Sequence, residues 1–427
     1  MQYLRELDHD ELGMHLMQKH YDGSFNVLSA ITLAGELDTA LITKIMNGFI
    51  DIMPQLGATI DNEQLRFMVL PAPYEWKMLT YHADEITLKE AFEKELNTGL
   101  KGAGGHLWRL SLFIDKDTNQ WTLLFYFHHS IIDLFSVNRF FDEFLQAYAN
   151  ASIDKEALSL ADGFPKPVTD FLPAKNRGLR GVLTTLAYLA KVIRLTEIKT
   201  LTFKPSRFSI SESRCKAHTL TLSPEMFSRF KLTAKNHGST LHGALCAVEL
   251  FALNALFDEK KPVFGFLSSV NTRPRLPEEA SLGLCPRVGH SIYSQKITEI
   301  DDFWPMAKEI GLAVRKDLDK GHDMAGGSIL VPHIKGLIKH NKPSEPKWSL
   351  QIANGGVLPI KTQYKALKVI DARYAQNFKS ASNMLGSLIT SLDGELTNTI
   401  CYSTPQFSEK DIQIFANTFT EVMGKVS

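Results

Sequence analysis

The segment His128-His129-Ser130-Ile131-Ile132-Asp133 carries two adjacent histidines and, four residues after the second, an aspartate. It directly follows residues 120–127, an apolar run without a breaker, which is typical of a strand covered on both faces. We expect the histidines and the acid to lie on a loop between this strand and an amphipathic helix, with Ser136 as the helix N-cap. The helix is indicated by apolar residues at helical spacing: Val137, Phe140, Phe141, Phe144, Leu145 and Tyr148.

The composition is that of an ordinary globular protein. The chain has 427 residues, of which 44% are hydrophobic and 22% charged, so two lobes are expected rather than one core. Lys plus Arg and Asp plus Glu each total 47, and this balance argues against a nucleic-acid partner, which would require a positive field. The cysteines are widely spaced without a CxxC pair, which argues against a zinc site or a disulfide scaffold and favours the cytoplasm. They are Cys215, Cys246, Cys285 and Cys401.

One segment, residues 179–198, raises the question of membrane contact. Its apolar residues are interrupted by Arg180, Lys191 and Arg194, so no stable membrane insertion is expected. The pattern predicts an amphipathic helix with a basic face. Such a helix packs on the protein's own surface or, alternatively, contacts a lipid-like substrate or a membrane surface.

Strand-like and helix-like segments alternate in both halves of the chain, which favours an α/β fold with mixed sheets and helices. We predict an N-terminal lobe at residues 1–165 that carries the histidine loop, and a C-terminal lobe at residues 208–427. Between them, residues 166–207 are predicted to form a crossover linker that contains the basic amphipathic helix. Prolines mark this crossover, at Pro165, Pro167, Pro173 and Pro205.

Local signals predict several element ends. Asp38 and Ser223 are expected to be helix N-caps, Ser223 being followed by a first-turn proline. Asp393-Gly394 predicts the turn of a late hairpin within residues 387–403. Ser408-x-x-Asp411 then predicts the capping box of a terminal helix.

The HHxxxD segment and four later regions occur in the order typical of one large superfamily. The regions are 238–241 before an alanine-rich helix, 268–275, 352–356, and the last hairpin with its helix. The chain resembles the chloramphenicol-acetyltransferase-like acyltransferases and condensation domains, most closely the stand-alone polyketide-associated and alcohol acyltransferases. It departs from the family at Leu134, where a glycine is usual, and it lacks the DFGWG block of plant relatives.

The resemblance implies two lobes of the chloramphenicol-acetyltransferase type with an active-site tunnel between them. It further implies transfer of an acyl group from a thioester, acyl-CoA or acyl-carrier protein, to a hydroxyl, forming an ester. His129 would be the general base, since a neutral imidazole can take and return a proton near neutral pH, and no covalent acyl-enzyme forms. His128 would be structural, and Asp133 would pair with Arg273 instead of completing a triad.

Other candidate residues carry alternative interpretations. Asn354, Gly355 and Gly356 could supply oxyanion donors or substrate contacts, or form a plain turn that ends a strand. Arg275 and Arg287 could be solvated or could meet a phosphate of the donor. No metal is expected, because no second His, Cys or Asp cluster with ligand spacing accompanies the loop. The remaining histidines considered are interpreted as surface or hydrogen-bonded core residues: His106, His242 and His290.

Two rival functions stay open. One is a condensation-type enzyme that forms an amide between carrier-bound partners, and the other is a catalytically silent relative that binds an acyl chain or a carrier protein. For the main hypothesis we expect no bound cofactor, a small alcohol or amine as acceptor, and a cytoplasmic monomer in secondary metabolism or lipid biosynthesis. Coenzyme A or phosphopantetheine thioesters would be co-substrates.

Overall fold

The computed structural model describes residues 2–20, 23–70, 75–100, 105–156, 158, 163–203, 208–259, 261–325, 348–379 and 384–427. The chain folds as two units. The first comprises Met1–Phe171, Arg273–Arg287 and Leu358–Asn377, and the second comprises Leu172–Thr272, Val288–Val357 and Phe378–Ser427.

This division differs from the predicted boundaries at residues 165 and 207. Residues 358–377 belong to the first unit because strand β13 (Leu367–Gln376) pairs antiparallel with β2 (Val27–Ala34). The two strands are more than 300 positions apart in the sequence. The predicted crossover is not a separate linker, since its helix is part of the second unit. The boundary at residue 207 and Pro205 lie outside the described residues.

The first unit contains a mixed six-stranded sheet in the order β12-β13-β2-β7-β6-β5 and a three-stranded sheet in the order β1-β4-β3. Strands β5 and β6 are parallel, and the other pairs of the large sheet are antiparallel. Besides β2 and β13, its elements are β1 Tyr3–Glu6, α1 His9–His20, α2 Thr39–Ile52, β3 Ala58–Asp61, β4 Arg66–Val69, β5 Leu79–His82, α3 Leu88–Asn97, β6 Trp108–Asp115, β7 Gln120–Phe127, α4 Leu134–Asn150 and β12 Gln363–Tyr364.

The second unit contains another mixed six-stranded sheet, in the order β10-β9-β11-β14-β15-β8. Strand β11 is parallel to both of its neighbours, and the remaining pairs are antiparallel. The elements are α5 Gly178–Glu197, β8 Arg214–Leu222, α6 Pro224–Asn236, α7 Leu241–Asn254, β9 Val263–Asn271, β10 Val288–Lys296, α8 Phe303–Lys320, β11 Leu350–Val357, β14 Leu385–Leu392, β15 Glu395–Thr404 and α9 Glu409–Val426. Two mixed sheets with helices confirm the predicted α/β class.

The predicted strand and helix on either side of the histidine loop are both present in the first unit. Strand β7 lies between β2 and β6 and is buried on both faces, which explains its unbroken apolar sequence. Helix α4 packs on it through aromatic rings: Phe125 and Phe140 have centroids 5.1 Å apart in an edge-on arrangement. These ring contacts hold α4 against β7, the two elements that the histidine loop joins.

Most predicted element ends are confirmed. The side chains of Asp38 and Ser223 cap α2 and α6 by accepting backbone N–H groups of the first turn. Asp393 and Gly394 both have positive φ, 50° and 82°, as a two-residue hairpin turn requires. Ser408 and Asp411 form the capping box of α9.

The predicted N-cap of α4 is wrong. Asp133, not Ser136, is the N-cap, and its carboxylate accepts the Ser136 N–H at 2.9 Å. Ser136 is the third helical residue and completes a capping box through its hydroxyl. The helix therefore starts at Leu134, which has ordinary helical backbone and does not need the glycine that the family usually has there.

Among the described helices, none is both long enough and apolar enough to cross a membrane.

Candidate active site

The end of strand β7 positions the histidine pair. The backbone N–H of His128 donates to the Leu107 carbonyl at 2.8 Å, just beyond the β6–β7 pairing. The chain then forms a single 3-10 turn, His129–Ile131, with His128 as its N-cap. The imidazole of His128 accepts the Ser130 N–H at 3.1 Å, so the first histidine closes the turn that presents the second.

His129 is half-buried, and one of its ring nitrogens is fixed by the loop itself. Nδ1 lies 2.7 Å from the carbonyl oxygen of Ile132. Because a carbonyl can only accept, Nδ1 carries the proton and Nε2 keeps its lone pair. Burial lowers the pKa of His129, which favours this neutral form.

The imidazole of His128 is neutral, and each of its two ring nitrogens lies next to a polar partner. Its Nδ1 accepts from Ser130, and its Nε2 lies 3.5 Å from Nδ1 of His15 on helix α1. Burial lowers the pKa of His128 well below its usual value and that of His15 to about 4. His15 was not predicted, because no local pattern indicates contact between residues 113 positions apart.

Asp133 is engaged by donors other than His129. Its Oδ1 accepts from the N–H and the hydroxyl of Ser136, at 2.9 and 2.7 Å. Its Oδ2 accepts from Arg273 Nη1 at 2.6 Å and from the Arg287 N–H at 2.8 Å. Burial alone would raise the pKa of Asp133, but Arg273 and these hydrogen bonds lower it to about 2.

Arg273 forms the expected ion pair with Asp133 inside the first unit, where both side chains are buried. Its Nη2 also donates to the Cys285 carbonyl at 2.8 Å, and its guanidinium stacks over the Phe135 ring at 4.6 Å. The pair thus connects the start of α4 to residues 273–287. An anchored N-cap is what fixes the loop that carries His129.

Arg287 is buried, which overturns its interpretation as a solvated residue. Its guanidinium donates to three carbonyls, those of Ala280, Pro286 and Lys166, at 2.9, 3.0 and 2.7 Å. Its Nη1 also lies 4.0 Å from Asp8 Oδ2. Sequence reasoning missed this role because an isolated arginine gives no signal of burial.

The candidate oxyanion residues lie in the second unit, within strand β11. They do not form a turn that ends the strand: β11 runs on to Val357, with a register shift between Asn354 and Gly356. The side-chain oxygen of Asn354 accepts the Gly356 N–H at 3.0 Å, and Gly355 and Gly356 are exposed. The Gly356 N–H is therefore already engaged.

The other histidines considered have hydrogen-bond partners. His242 Nε2 lies 2.6 Å from Ser268 Oγ, and burial lowers its pKa to about 4. His106 and His290 lie within hydrogen-bonding distance of Leu56 O and Ser269 Oγ. In the part of the chain that the structure describes, no group of three or more His, Cys, Asp or Glu side chains is arranged to hold a metal ion.

The loop can therefore supply one chemical group, a neutral imidazole with an oriented lone pair. Such a group acts as a general base toward a hydroxyl or amine and afterwards as a general acid toward a leaving group. Asp133 stabilises the loop. The four hydrogen bonds that its carboxylate accepts come from Ser136, Arg273 and Arg287, and none comes from the His129 imidazole.

The condensation-domain family matches residues 13–284, and the C-terminal family of phthiocerol/phthiodiolone dimycocerosyl transferase matches residues 211–403. No curated protein sequence matches the chain.

Solved structures share the fold at low sequence identity. The trichothecene 15-O-acetyltransferase of Fusarium sporotrichioides superposes with a TM-score of 0.75 at 15% identity, over 99% of this chain and 95% of its own. Polyketide synthase associated protein 5 of Mycobacterium tuberculosis gives a TM-score of 0.68 at 14% identity, over 100% of both chains. The first condensation domain of the CDA synthetase gives 0.73 at 14%, over 99% of this chain and 96% of that domain.

The condensation-domain match spans more than half of the 427 residues, so this chain belongs to the condensation-domain superfamily of acyltransferases.

Proposed function

We propose that this protein transfers an acyl group from a thioester to a hydroxyl acceptor, forming an ester, with Nε2 of His129 as the general base. The observation that carries the proposal is the 2.7 Å contact between His129 Nδ1 and the Ile132 carbonyl. It fixes the tautomer in which Nε2 can take a proton. Membership of an acyltransferase superfamily supports the reaction class.

The proposed reaction is a direct displacement in a ternary complex. Nε2 of His129 takes the proton of the acceptor hydroxyl while the acceptor oxygen attacks the thioester carbonyl. The carbon–sulfur bond then breaks, and the imidazolium returns the proton to the thiolate. The products are an ester and a free thiol, and no acyl group becomes attached to the protein.

Asp133 supports the loop in this proposal and takes no proton. Its carboxylate accepts four hydrogen bonds, none from His129, and its pKa of about 2 keeps it ionised. A serine-type triad would instead require a carboxylate hydrogen-bonded to the base. In this protein the backbone carbonyl of Ile132 orients the His129 imidazole instead.

The donor in this proposal is acyl-CoA or an acyl-carrier protein, acting as a co-substrate instead of a bound cofactor. We further propose that the enzyme works as a cytoplasmic monomer. The match of residues 13–284 to condensation domains also favours a second candidate, amide formation between carrier-bound partners. The two candidates share His129 and differ in the acceptor.

The test is release of free thiol from a panel of short to long acyl-CoA donors and from the same acyl groups on a carrier protein. Each donor is assayed with and without mixed alcohols and amines, and products are identified by mass. The wild type is compared with His129→Ala and, as a matched control, with His20→Ala at the exposed end of α1.

The proposal expects acceptor-dependent thiol release and an ester product in the wild type and His20→Ala, and neither in His129→Ala. An amide formed only from carrier-bound partners would favour the condensation-type candidate. Folded protein that binds a donor but releases no thiol with any pair would contradict both and favour a silent binding protein.

A further inference from the structure

Helix α5 exposes an apolar stripe. Of its twenty residues only Gly181 and Thr185 are buried. Four large apolar side chains are instead exposed, by 51 to 77%: Leu179, Leu183, Leu186 and Ile193. Their spacing of four, three and seven residues places them on one face of the helix. Single exposed leucines are common, but a row of four on one helix face is typical of an interaction surface.

A basic groove adjoins this stripe within the second unit. It encloses about 800 Å³ and lies between α5, α8 and Tyr293 of β10. The apolar part of its lining includes Leu183 and Ala190 of α5 and Ala313 of α8. Among the described residues that line it, the charged ones are four basic residues and one acid: Lys191, Arg194, Lys316, Lys320 and Asp317.

The acid among these described lining residues is already engaged. Asp317 forms an ion pair with Lys191, and its other oxygen lies 3.1 Å from Nδ1 of His322. The groove therefore presents a positive surface, although the chain as a whole has no net charge. An apolar helix face beside basic side chains matches the surface of an anionic bilayer, whose phosphates lie just above its hydrocarbon.

We propose that α5 and the adjacent groove bind the surface of an anionic lipid membrane. The stripe of Leu179, Leu183, Leu186 and Ile193 enters the boundary between headgroups and hydrocarbon. Arg194 and Lys316 meet the lipid phosphates. The helix lies in the plane of the membrane and does not cross it, in agreement with the lack of a spanning helix among the described residues.

This proposal does not depend on the proposed reaction, since it concerns other residues and a different ligand. It is tested with the full chain by cosedimentation with vesicles of phosphatidylcholine alone and of an equimolar mixture of phosphatidylcholine and phosphatidylglycerol. The apolar variant combines Leu183→Ser, Leu186→Ser and Ile193→Ser. Its matched control is Leu232→Ser on α6, where the leucine is 60% exposed.

The wild type and Leu232→Ser should bind the mixed vesicles and bind them less at high salt. The apolar variant should lower the partition coefficient by more than about tenfold. A charge variant, Arg194→Gln with Lys316→Gln, should lower it by about fivefold for each residue and remove the preference for the anionic lipid.

Three results would overturn the proposal. The first is no sedimentation of the wild type with either vesicle, and the second is equal binding by the wild type and the apolar variant. The third is that the wild type binds no vesicles but forms a protein complex that the apolar variant abolishes. Such a complex would be a dimer detected by light scattering or a complex with an acidic carrier protein detected by titration. That result would assign the face to a protein partner.

Discussion

Nδ1 of His129 lies 2.7 Å from the carbonyl oxygen of Ile132, three residues later in the same loop. The backbone therefore holds the imidazole in one tautomer, a task that a buried carboxylate performs in the serine-type triad. Asp133, the carboxylate of the motif, is free to anchor the loop instead. Its four hydrogen bonds tie it to Ser136, Arg273 and Arg287.

The pH dependence of the proposed reaction follows from the burial of His129. Burial lowers the pKa of this histidine from its usual 6.5, and the unprotonated ring is the active form. We expect kcat/KM to rise with pH through a midpoint below 6.5 and to be level near neutrality. A steady-state profile measures the midpoint, and a midpoint above about 7 would contradict the assignment.

Removal of the Asp133 carboxylate should destabilise the first unit. Asp133→Ala leaves Arg273 buried without its partner, so the free energy of unfolding should fall by about 3 to 5 kcal/mol. Urea denaturation measures this loss. In the control, Glu299→Ala removes an exposed ion pair with Lys261 and should cost less than about 1 kcal/mol. A stable Asp133→Ala protein with full activity would contradict the structural role of Asp133.

His128 should act as the cap of the 3-10 turn. His128→Ala removes the acceptor of the Ser130 N–H and opens a cavity, so we expect a loss of about 2 kcal/mol or more in unfolding free energy. In His128→Asn the amide oxygen can accept the same N–H, and the loss should be smaller. Urea denaturation compares the two variants. Equal losses would show that the cap contributes nothing.

Glu249 should make the second unit less stable at high pH. Burial raises the pKa of its carboxyl from 4.5 to about 7, above the value in the unfolded chain. The folded state therefore binds this proton more tightly, so its contribution to stability is complete below about pH 4.5 and is lost as the pH rises through about 7.

Glu249→Gln should remove this pH dependence and be more stable than the wild type above about pH 7. The glutamine can still accept from Asn398 Nδ2, which lies 2.6 Å from the Glu249 oxygen. Urea denaturation across this pH range measures the effect, with Glu421→Gln on the exposed face of α9 as the control. Parallel curves for the wild type and Glu249→Gln would contradict the raised pKa.

The sequence predicted the fold where local patterns are strong. The apolar run of β7, the period of α4 and the turn at Asp393-Gly394 each depend on neighbouring residues, and the structure contains all three. The N-cap of α4 was misassigned because Asp133 and Ser136 are both good caps at this spacing. The hydrogen bond from the Ser136 N–H to the Asp133 carboxylate shows that Asp133 holds that position.

The missed features depend on contacts between distant segments. The pairing of β13 with β2, the burial of Arg287 and the contact of His15 with His128 join residues more than a hundred positions apart. For Asn354, Gly355 and Gly356 the sequence left two interpretations, oxyanion donors or a plain turn that ends a strand, and the structure shows that the strand continues through a register shift. Spacing along the chain cannot reveal such contacts.

The most direct test of the central claim is the rate of acyl transfer by the variant His129→Asn. The asparagine amide can still donate to the Ile132 carbonyl, so the loop is kept while the Nε2 lone pair is lost. We predict that acceptor-dependent thiol release falls by about a hundredfold to ten-thousandfold with an unchanged unfolding midpoint. A folded His129→Asn protein that transfers acyl groups within about threefold of the wild-type rate would contradict His129 as the base.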